Sequence, residues 1–233
     1  MLAVVQAGQV GKTSLLIDMH RLRKRVFKDR LAWEVNISRS GMEVDAFDLP
    51  EAFYLLAVSE EGRVCGSWRF LPTSGPTMIR DIWPEFMTSI DLPVDPLVWE
   101  GSRFAVEKSP CSGTKGLAQI NRTTQELFCG ITELCIHCGI REIFTLYDLR
   151  IARLLQRLNC SAKQVSSRIC INGLPTEVGR FVTNRTMLER LRHSAGIHHN
   201  LIDTCDLPHG LIHYLHAYTQ LDTPTLSGSM HHA

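Results

Sequence analysis

The chain has 233 residues, 44% of them hydrophobic and 21% charged, a balance that excludes a disordered, collagen-like or low-complexity protein. Twenty-five basic residues against 24 acidic ones leave a formal charge of +1, which excludes the whole-chain basic field that holds nucleic acid. No run approaches the roughly 18 apolar residues of a membrane span, and the opening MLAVVQAGQVGKTS has neither the basic start nor the long apolar core of a secretion signal. The expectation is a cytoplasmic protein with one domain over 1–218, a flexible tail over 219–233, and eight reduced cysteines acting mostly as small core residues.

In chain order, Leu2 to Gln6 reads as a short strand. Ser14 to Asp29 reads as a helix, since Leu15, Leu16, Met19, Leu22, Val26 and Phe27 recur at helical spacing. Glu34 to Pro50 is polar, acidic and aperiodic, hence a loop. Ala52 to Ser59 and Val64 to Leu71 flank Glu60-Glu61-Gly62-Arg63 as a β-hairpin. Pro72 to Pro96, rich in Pro, Asp and Ser, is expected to wrap the surface, and Leu97 to Val106 to form another strand. Gly116 to Gly139 reads as a long helix stopped by glycine, Glu142 to Tyr147 as a strand, and Leu149 to Leu158 as an amphipathic helix. Arg168 to Ile171 and Glu177 to Thr183 pair as strands, and Asn184 caps a helix over Arg185 to Ala195. This alternation predicts an α/β protein: one mixed sheet with helices on both faces.

Three motifs carry less than they promise. Gly8-Gln9-Val10-Gly11-Lys12-Thr13 ends like a phosphate loop, but Gln6 stands where the first glycine is required. Cys135-Ile136-His137-Cys138 has no second ligand pair for tetrahedral zinc and falls on an apolar helix stripe. His209, His213 and His216 share helical spacing without a nearby carboxylate, so an amphipathic helix is expected and no metal site.

Charge is sharply partitioned along the chain. Arg21, Arg23, Lys24, Arg25, Lys28 and Arg30 face only Asp29, whereas Glu34, Glu43, Asp45, Asp48, Glu51 and Glu60 face only Arg39. Phe27 and Trp33 interrupt the first run, and Phe47 separates the two carboxylates of Asp45-Ala46-Phe47-Asp48. Arg69 lies inside an apolar strand, and Trp99-Glu100-Gly101-Ser102-Arg103-Phe104 mixes charge into another. Ionised groups in such strands are costly to bury unless paired or bound to a ligand. The pattern therefore points either to structural ion pairs or to a polar small-molecule site that handles both a cation and a carboxylate.

Arg23-x-x-x-Phe27, Trp33, Asp45-x-x-Asp48, Arg69 and Glu100-x-x-Arg103, in this order and spacing, resemble the LuxI-type acyl-homoserine-lactone synthases. The stretch from Gly66 to Met78 is also close to that family's pattern, while residues 116–196 match with weaker motifs. The resemblance implies an N-acetyltransferase-like twisted mixed sheet. It also implies S-adenosylmethionine as a substrate, no prosthetic group, and an acyl thioester on acyl carrier protein or coenzyme A as partner. Arg23, Phe27, Trp33, Asp45, Asp48, Arg69, Trp83 and Arg103 would then bind S-adenosylmethionine, Trp83 standing where the family usually has Phe. Glu100, Asp48 and Arg103 would be catalytic, with Glu100 accepting the amine proton and Arg69 bracing Glu100 or Asp48. Ser102, Phe104, Thr145 and Tyr147 would line the acyl pocket. Tyr147 replaces the threonine common in 3-oxo-acyl synthases, and its bulk implies a compact, unsubstituted or 3-hydroxy acyl group unless its ring swings aside. By this division 1–110 binds S-adenosylmethionine and 111–218 the acyl chain and its carrier.

Residues 141–193 hold ten basic and four acidic side chains. Arg150, Arg153 and Arg157 fall on one helix face, a fit for docking an acidic acyl carrier protein as well as an ordinary solvated surface. Two other readings stand beside the synthase. An N-acyltransferase using acyl-CoA is disfavoured because Ser112-Gly113-Thr114-Lys115-Gly116-Leu117 has its glycines at the wrong offsets for a pyrophosphate loop. A non-catalytic ligand-binding regulator is disfavoured by the completeness of the charged set.

Overall fold

In β1 (Leu2–Gln6) the side chains of Leu2 and Val4 enter one core and those of Ala3 and Val5 another, because successive residues of a strand point to opposite faces. All six residues of β2 (Phe53–Val58) are buried, as expected of a strand covered on both sides. The computed structural model describes residues 1–107, 122–160 and 162–219. Among these, β3 (Val64–Pro72), β4 (Val98–Val106), β5 (Glu142–Asp148), β6 (Lys163–Gln164), β7 (Ile169–Ile171) and β8 (Leu174–Val182) complete a mixed sheet. Its order is β1-β2-β3-β4-β5-β8-β6, with β7 also paired to β8. Every pairing is antiparallel except β4–β5, which is parallel and is bridged by the crossover through α3 (Arg122–Cys138).

On one face lie α3, α4 (Leu149–Arg157), α5 (Arg185–Ala195) and the start of α6 (His209–Thr219), packed on Phe53, Leu55, Trp68, Phe70 and Trp99. Cys135 and Cys138 are buried there as core residues. The other face is covered by α1 (Thr13–Lys24) through Met19 and Leu22. The alternation of strands and helices thus produced the expected layers, and Asn184 caps α5 by accepting a hydrogen bond from the Met187 amide at 2.9 Å.

Several boundaries differ from expectation for identifiable reasons. The helix predicted over Ser14 to Asp29 changes at Arg25 into a π-helical turn, Arg25–Arg30, the kind of widened turn frequent at functional sites. The stretch from Pro72 to Pro96 does more than wrap the surface. It contains α2 (Met78–Asp81) and a 3-10 turn (Pro84–Thr88), and its Ile79, Phe86, Ile90 and Leu92 pack with Val98, Phe144 and Val178. Its apolar residues have no regular period because they fill a sheet area that α1 leaves bare. β8 begins at Leu174, three residues earlier than read, because Asn172 (φ +49°) and Gly173 (φ +77°) make a two-residue turn directly from β7. The predicted start of the helix at Gly116, the stretch Ser112 to Leu117 and the tail lie outside the described residues.

Candidate active site

Three arginines and three carboxylates interlock on the face covered by α1. Arg23, from α1 and 1% exposed, grips Asp48 with both Nη atoms, at 2.6 and 3.1 Å, and also pairs with Glu43. Arg69, from β3, reaches Asp45 at 2.5 Å and Asp48 at 3.1 Å. Arg103, from β4, reaches Glu43 at 3.2 Å and Asp45 at 2.7 Å. The loop bearing the acids is held by its own side chains: Asp48 accepts from the Asp45 amide and Asp45 from the Phe47 amide. Tyr54 donates its hydroxyl to Asp48 at 2.8 Å. The cluster is formally neutral, which is what allows six charges to be buried together.

Electrostatics follow from this pairing. Burial favours the neutral carboxyl, but Arg23 and then Arg69 hold Asp48 well below the usual carboxylate range. Asp45 is lowered in the same way, against its burial, by Arg69 and Arg103. Burial lowers the pKa of Arg103, with Asp45 and Glu43 opposing it. Asp45 and Arg103, each 15% exposed at the side chain, are the least buried members of the cluster, although Asp45 Oδ2 is itself buried. Glu43 is the member that the sequence reading left out, although Glu43-x-Asp45-x-x-Asp48 is a tight acidic spacing that would have signalled it. Tyr54 carried no signal in the sequence beyond being the polar ring of an apolar strand.

A β-bulge brings Arg103 to this cluster. Between Ser67↔Ala105 and Arg69↔Ser102 the two strands differ by one residue, the extra one lying on β4. Arg103 itself has φ +55°, a left-handed conformation rare for a non-glycine residue. Strict alternation would send Glu100 and Arg103 to opposite faces. The bulge instead turns Arg103 to the side of Glu100 and Ser102, with its guanidinium 5.7 Å over the Phe27 ring. Phe27, on the π-helical turn, stacks on Trp33 at 5.2 Å and an interplanar angle of 3°. Trp83 is half-buried and packs against both cores on this face.

Glu100 is 1% exposed and accepts the Met78 amide at 3.1 Å and the Ile79 amide at 2.7 Å, one on each carboxylate oxygen. Burial pushes its carboxyl up to about 7, with the two amides opposing. Arg69 braces Asp45 and Asp48 and not Glu100, its remaining nitrogens going to Ser102 Oγ at 3.1 Å and Met78 Sδ at 2.9 Å.

On the opposite face, β4 and β5 pair only from Val98 to Gly101 and then part at the bulge. Trp68, Phe104 and Phe128 gather beside this gap. Thr145 and Tyr147 point to this face, but Ser102 does not: it sits with Arg69 across the sheet. The Tyr147 ring lies against Gly179 of β8, where an added Cβ would come within 2.4 Å of the hydroxyl. Farther along, Arg150, Arg153 and Arg157 are all exposed on α4, and Arg150 also holds Asp148, the residue that caps that helix.

Comparison with known proteins places the chain by sequence and by fold. The family model for autoinducer synthases matches residues 9–191. The acyl-homoserine-lactone synthase of Agrobacterium fabrum is 35% identical over 178 residues, covering 76% of this chain and 83% of the relative. A solved coenzyme A-dependent acyl-homoserine-lactone synthase, BjaI, superposes with a TM-score of 0.76 at 22% identity over 92% of this chain and 98% of that one. A candidate N-acetyltransferase of Lactobacillus plantarum shares the fold more distantly, with a TM-score of 0.50 at 12% identity over 78% and 99% of the two chains. With an N-acetyltransferase-like sheet, a buried charged cluster in the expected order and a family match spanning most of its length, the chain belongs to the autoinducer synthase family.

Proposed function

We propose that this chain makes an N-acyl-homoserine lactone from S-adenosylmethionine and an acyl thioester, the two substrates meeting where β4 and β5 part. The observation that carries this reading is the bulge at Arg103, which opens the sheet between a charged face and an aromatic one. S-adenosylmethionine binds on the charged face. Asp45 takes its ammonium and Arg103 its carboxylate, these being the least buried members of the cluster and Asp45 Oδ2 a buried oxygen without a hydrogen bond. Arg23, Glu43, Asp48 and Arg69 hold those two in place. The Phe27–Trp33 stack and Trp83 form an aromatic wall for the sulfonium or the adenine, where cation–π attraction contributes roughly 0.5–2 kcal/mol.

The ammonium first releases one proton to water; the amine nitrogen then attacks the thioester carbonyl carbon, and its second proton passes through Glu100. The carbon–sulfur bond breaks, and the thiolate leaves with the electron pair and takes up the proton. The methionine carboxylate then attacks its own γ-carbon. The bond to the sulfonium sulfur breaks, and methylthioadenosine departs as a neutral thioether. Positioning dominates this second step, because the leaving group is already activated. On this reading residues 1–110 provide the S-adenosylmethionine site and 111–218 most of the acyl and carrier site. Purified protein given S-adenosylmethionine and a panel of acyl thioesters should release methylthioadenosine and an acyl-lactone detectable by mass spectrometry. No methylthioadenosine with any donor would refute the assignment.

The acyl donor is carried by acyl carrier protein docked on α4. Arg150, Arg153 and Arg157 offer an acidic carrier a cationic face next to β5. The double variant Arg150→Glu, Arg153→Glu should raise KM for carrier-bound donor at least tenfold at low salt while leaving kcat and KM for S-adenosylmethionine unchanged. Equal kinetics with the carrier-bound donor would remove the docking assignment.

Gly179 keeps the acyl channel clear of Tyr147. In Gly179→Ala the new Cβ meets Tyr147 Oη at 2.4 Å and Ala162 Cβ at 2.7 Å, so the ring must shift, and on this reading it turns toward the β4–β5 gap. The product profile should shift to shorter acyl chains and return in Gly179→Ala, Tyr147→Ala. An unshifted profile by mass spectrometry would show that the ring has another berth.

A further inference from the structure

Trp68 is 5% exposed, and its indole Nε1–H has no hydrogen-bond acceptor among the described residues. Buried donors are nearly always paired, so one held without a partner asks for an explanation. This one is held firmly. The indole packs edge-on to Phe104 at 5.1 Å and against Phe70 at 5.0 Å and Phe128 at 4.8 Å. It also lies directly over Gly101: a Cβ there would stand 3.1 Å from Nε1. Gly101 is the last residue of β4 paired to β5, so the N–H sits at the mouth of the gap. The hydroxyl of Thr145, which shares this position, is already donated to the Gly101 carbonyl at 2.6 Å. Among the described side chains at that point, Trp68 is thus a donor left uncommitted, and Gly101 beneath it is one residue along the strand from Glu100, whose side chain lies on the opposite face.

We propose that the Trp68 indole N–H is a catalytic hydrogen-bond donor to the carbonyl oxygen of the acyl thioester. The inference rests on the synthase reading above. As the amine nitrogen bonds to the carbonyl carbon, the π pair moves onto oxygen. Trp68 stabilises that charge without giving up its proton. The pair then returns as the carbon–sulfur bond breaks. A donor already fixed by packing needs no reorganisation when the charge develops. A second oxygen on the acyl chain would lie two carbons deeper, away from the reacting amine, which is why the carbonyl is the assigned acceptor.

Trp68→Phe keeps a ring in the cluster and removes only the N–H and its fused ring. Amide formation should slow roughly 100-fold in kcat, the scale of losing one oxyanion donor, with donor KM little changed and with the same loss for unsubstituted and 3-oxygenated donors. A loss confined to 3-oxygenated donors, or wild-type kcat in a folded variant, overturns the assignment. Wild-type protein with 15N-labelled tryptophan supplies a readout that survives a misfolded variant. Of the four indole N–H resonances, one should move downfield on adding a stable carbonyl-bearing donor analogue and stay in place with the analogue carrying a methylene instead. No responding resonance likewise overturns it. Wild-type enzyme that releases no methylthioadenosine with any donor instead defeats the synthase reading beneath it.

Discussion

Glu43→Gln should lower the melting temperature by roughly 10 °C and reduce lactone synthesis at least 100-fold. Glu43 is fully buried between Arg23 and Arg103, and removing one partner from a buried ionic cluster leaves uncompensated charge, a cost of about 3–5 kcal/mol. For a chain of this size each kcal/mol moves the midpoint by about 2–4 °C. Activity falls because Arg103 loses the acid that directs its Nε, and a displacement of about 1 Å at a substrate-holding group costs on the order of 100-fold. Glu34→Gln, in an exposed residue at the start of the same loop, should change neither quantity. Thermal unfolding by circular dichroism and the methylthioadenosine assay measure both. A Glu43→Gln midpoint within 2 °C of wild type would mean that the cluster rearranges to restore neutrality.

The second large effect concerns Glu100 and pH. Its carboxyl titrates near 4.5 in the unfolded chain and is pushed up to about 7 by burial in the folded one. Between those values the unfolded state ionises while the folded state keeps its proton, so unfolding releases protons and stability falls as pH rises. The contribution is complete below about pH 4.5 and lost above about 7, on the order of 3 kcal/mol in all. Asp45 and Asp48 act in the opposite sense in a more acid range: their depressed values lend stability above about pH 3.8 that is lost as pH falls. His20, lowered mainly by burial, adds stability as pH rises toward 6.5. The Glu100 contribution is therefore read from the difference between wild type and Glu100→Gln, which should slope only between pH 4.5 and 7. A proton acceptor must also be ionised to work, so kcat/KM for amide formation should rise to a plateau with a midpoint near pH 7. Glu100→Gln should remove that limb and cut the rate by roughly 100- to 10,000-fold. If Glu100 served only to anchor α2 through the Met78 and Ile79 amides, the variant would lose stability while keeping the wild-type pH midpoint.

Much of the fold was legible because it depends on local pattern. The hairpin of β2 and β3, the apolar stripe of α3 and the Asn184 cap each rest on residues near one another in the chain. The stretch from Pro72 to Pro96 was not legible. Ile79, Phe86, Ile90 and Leu92 are buried by the shape of a distant sheet face and follow no period of their own. The charged site was half legible. Arg69 and Arg103 are out of place in their apolar strands by burial cost, and Arg23, Asp45 and Asp48 stand out by the aromatic residues set among their charged runs. Glu43 resembled one more acid in a solvated run until its backbone amide was seen bonded to the His20 carbonyl at 3.2 Å, which draws it under α1.

By itself the sequence determined that charged residues must find partners inside this fold: ionised side chains set in apolar strands are tolerated only if they meet opposite charges or a ligand. It could not determine on which side of the sheet they meet. Glu100 and Arg103 are three apart, and strand alternation separates them; the left-handed turn of Arg103 in the β4 bulge reverses that and opens the sheet at the same point. Nor could it determine where the Tyr147 ring goes, since that depends on a missing Cβ at Gly179, 32 residues away in the chain and adjacent only after β5 and β8 pair. Composition and spacing are local quantities. Register, bulge and berth are set by contacts between strands, and only the folded chain brings those strands together.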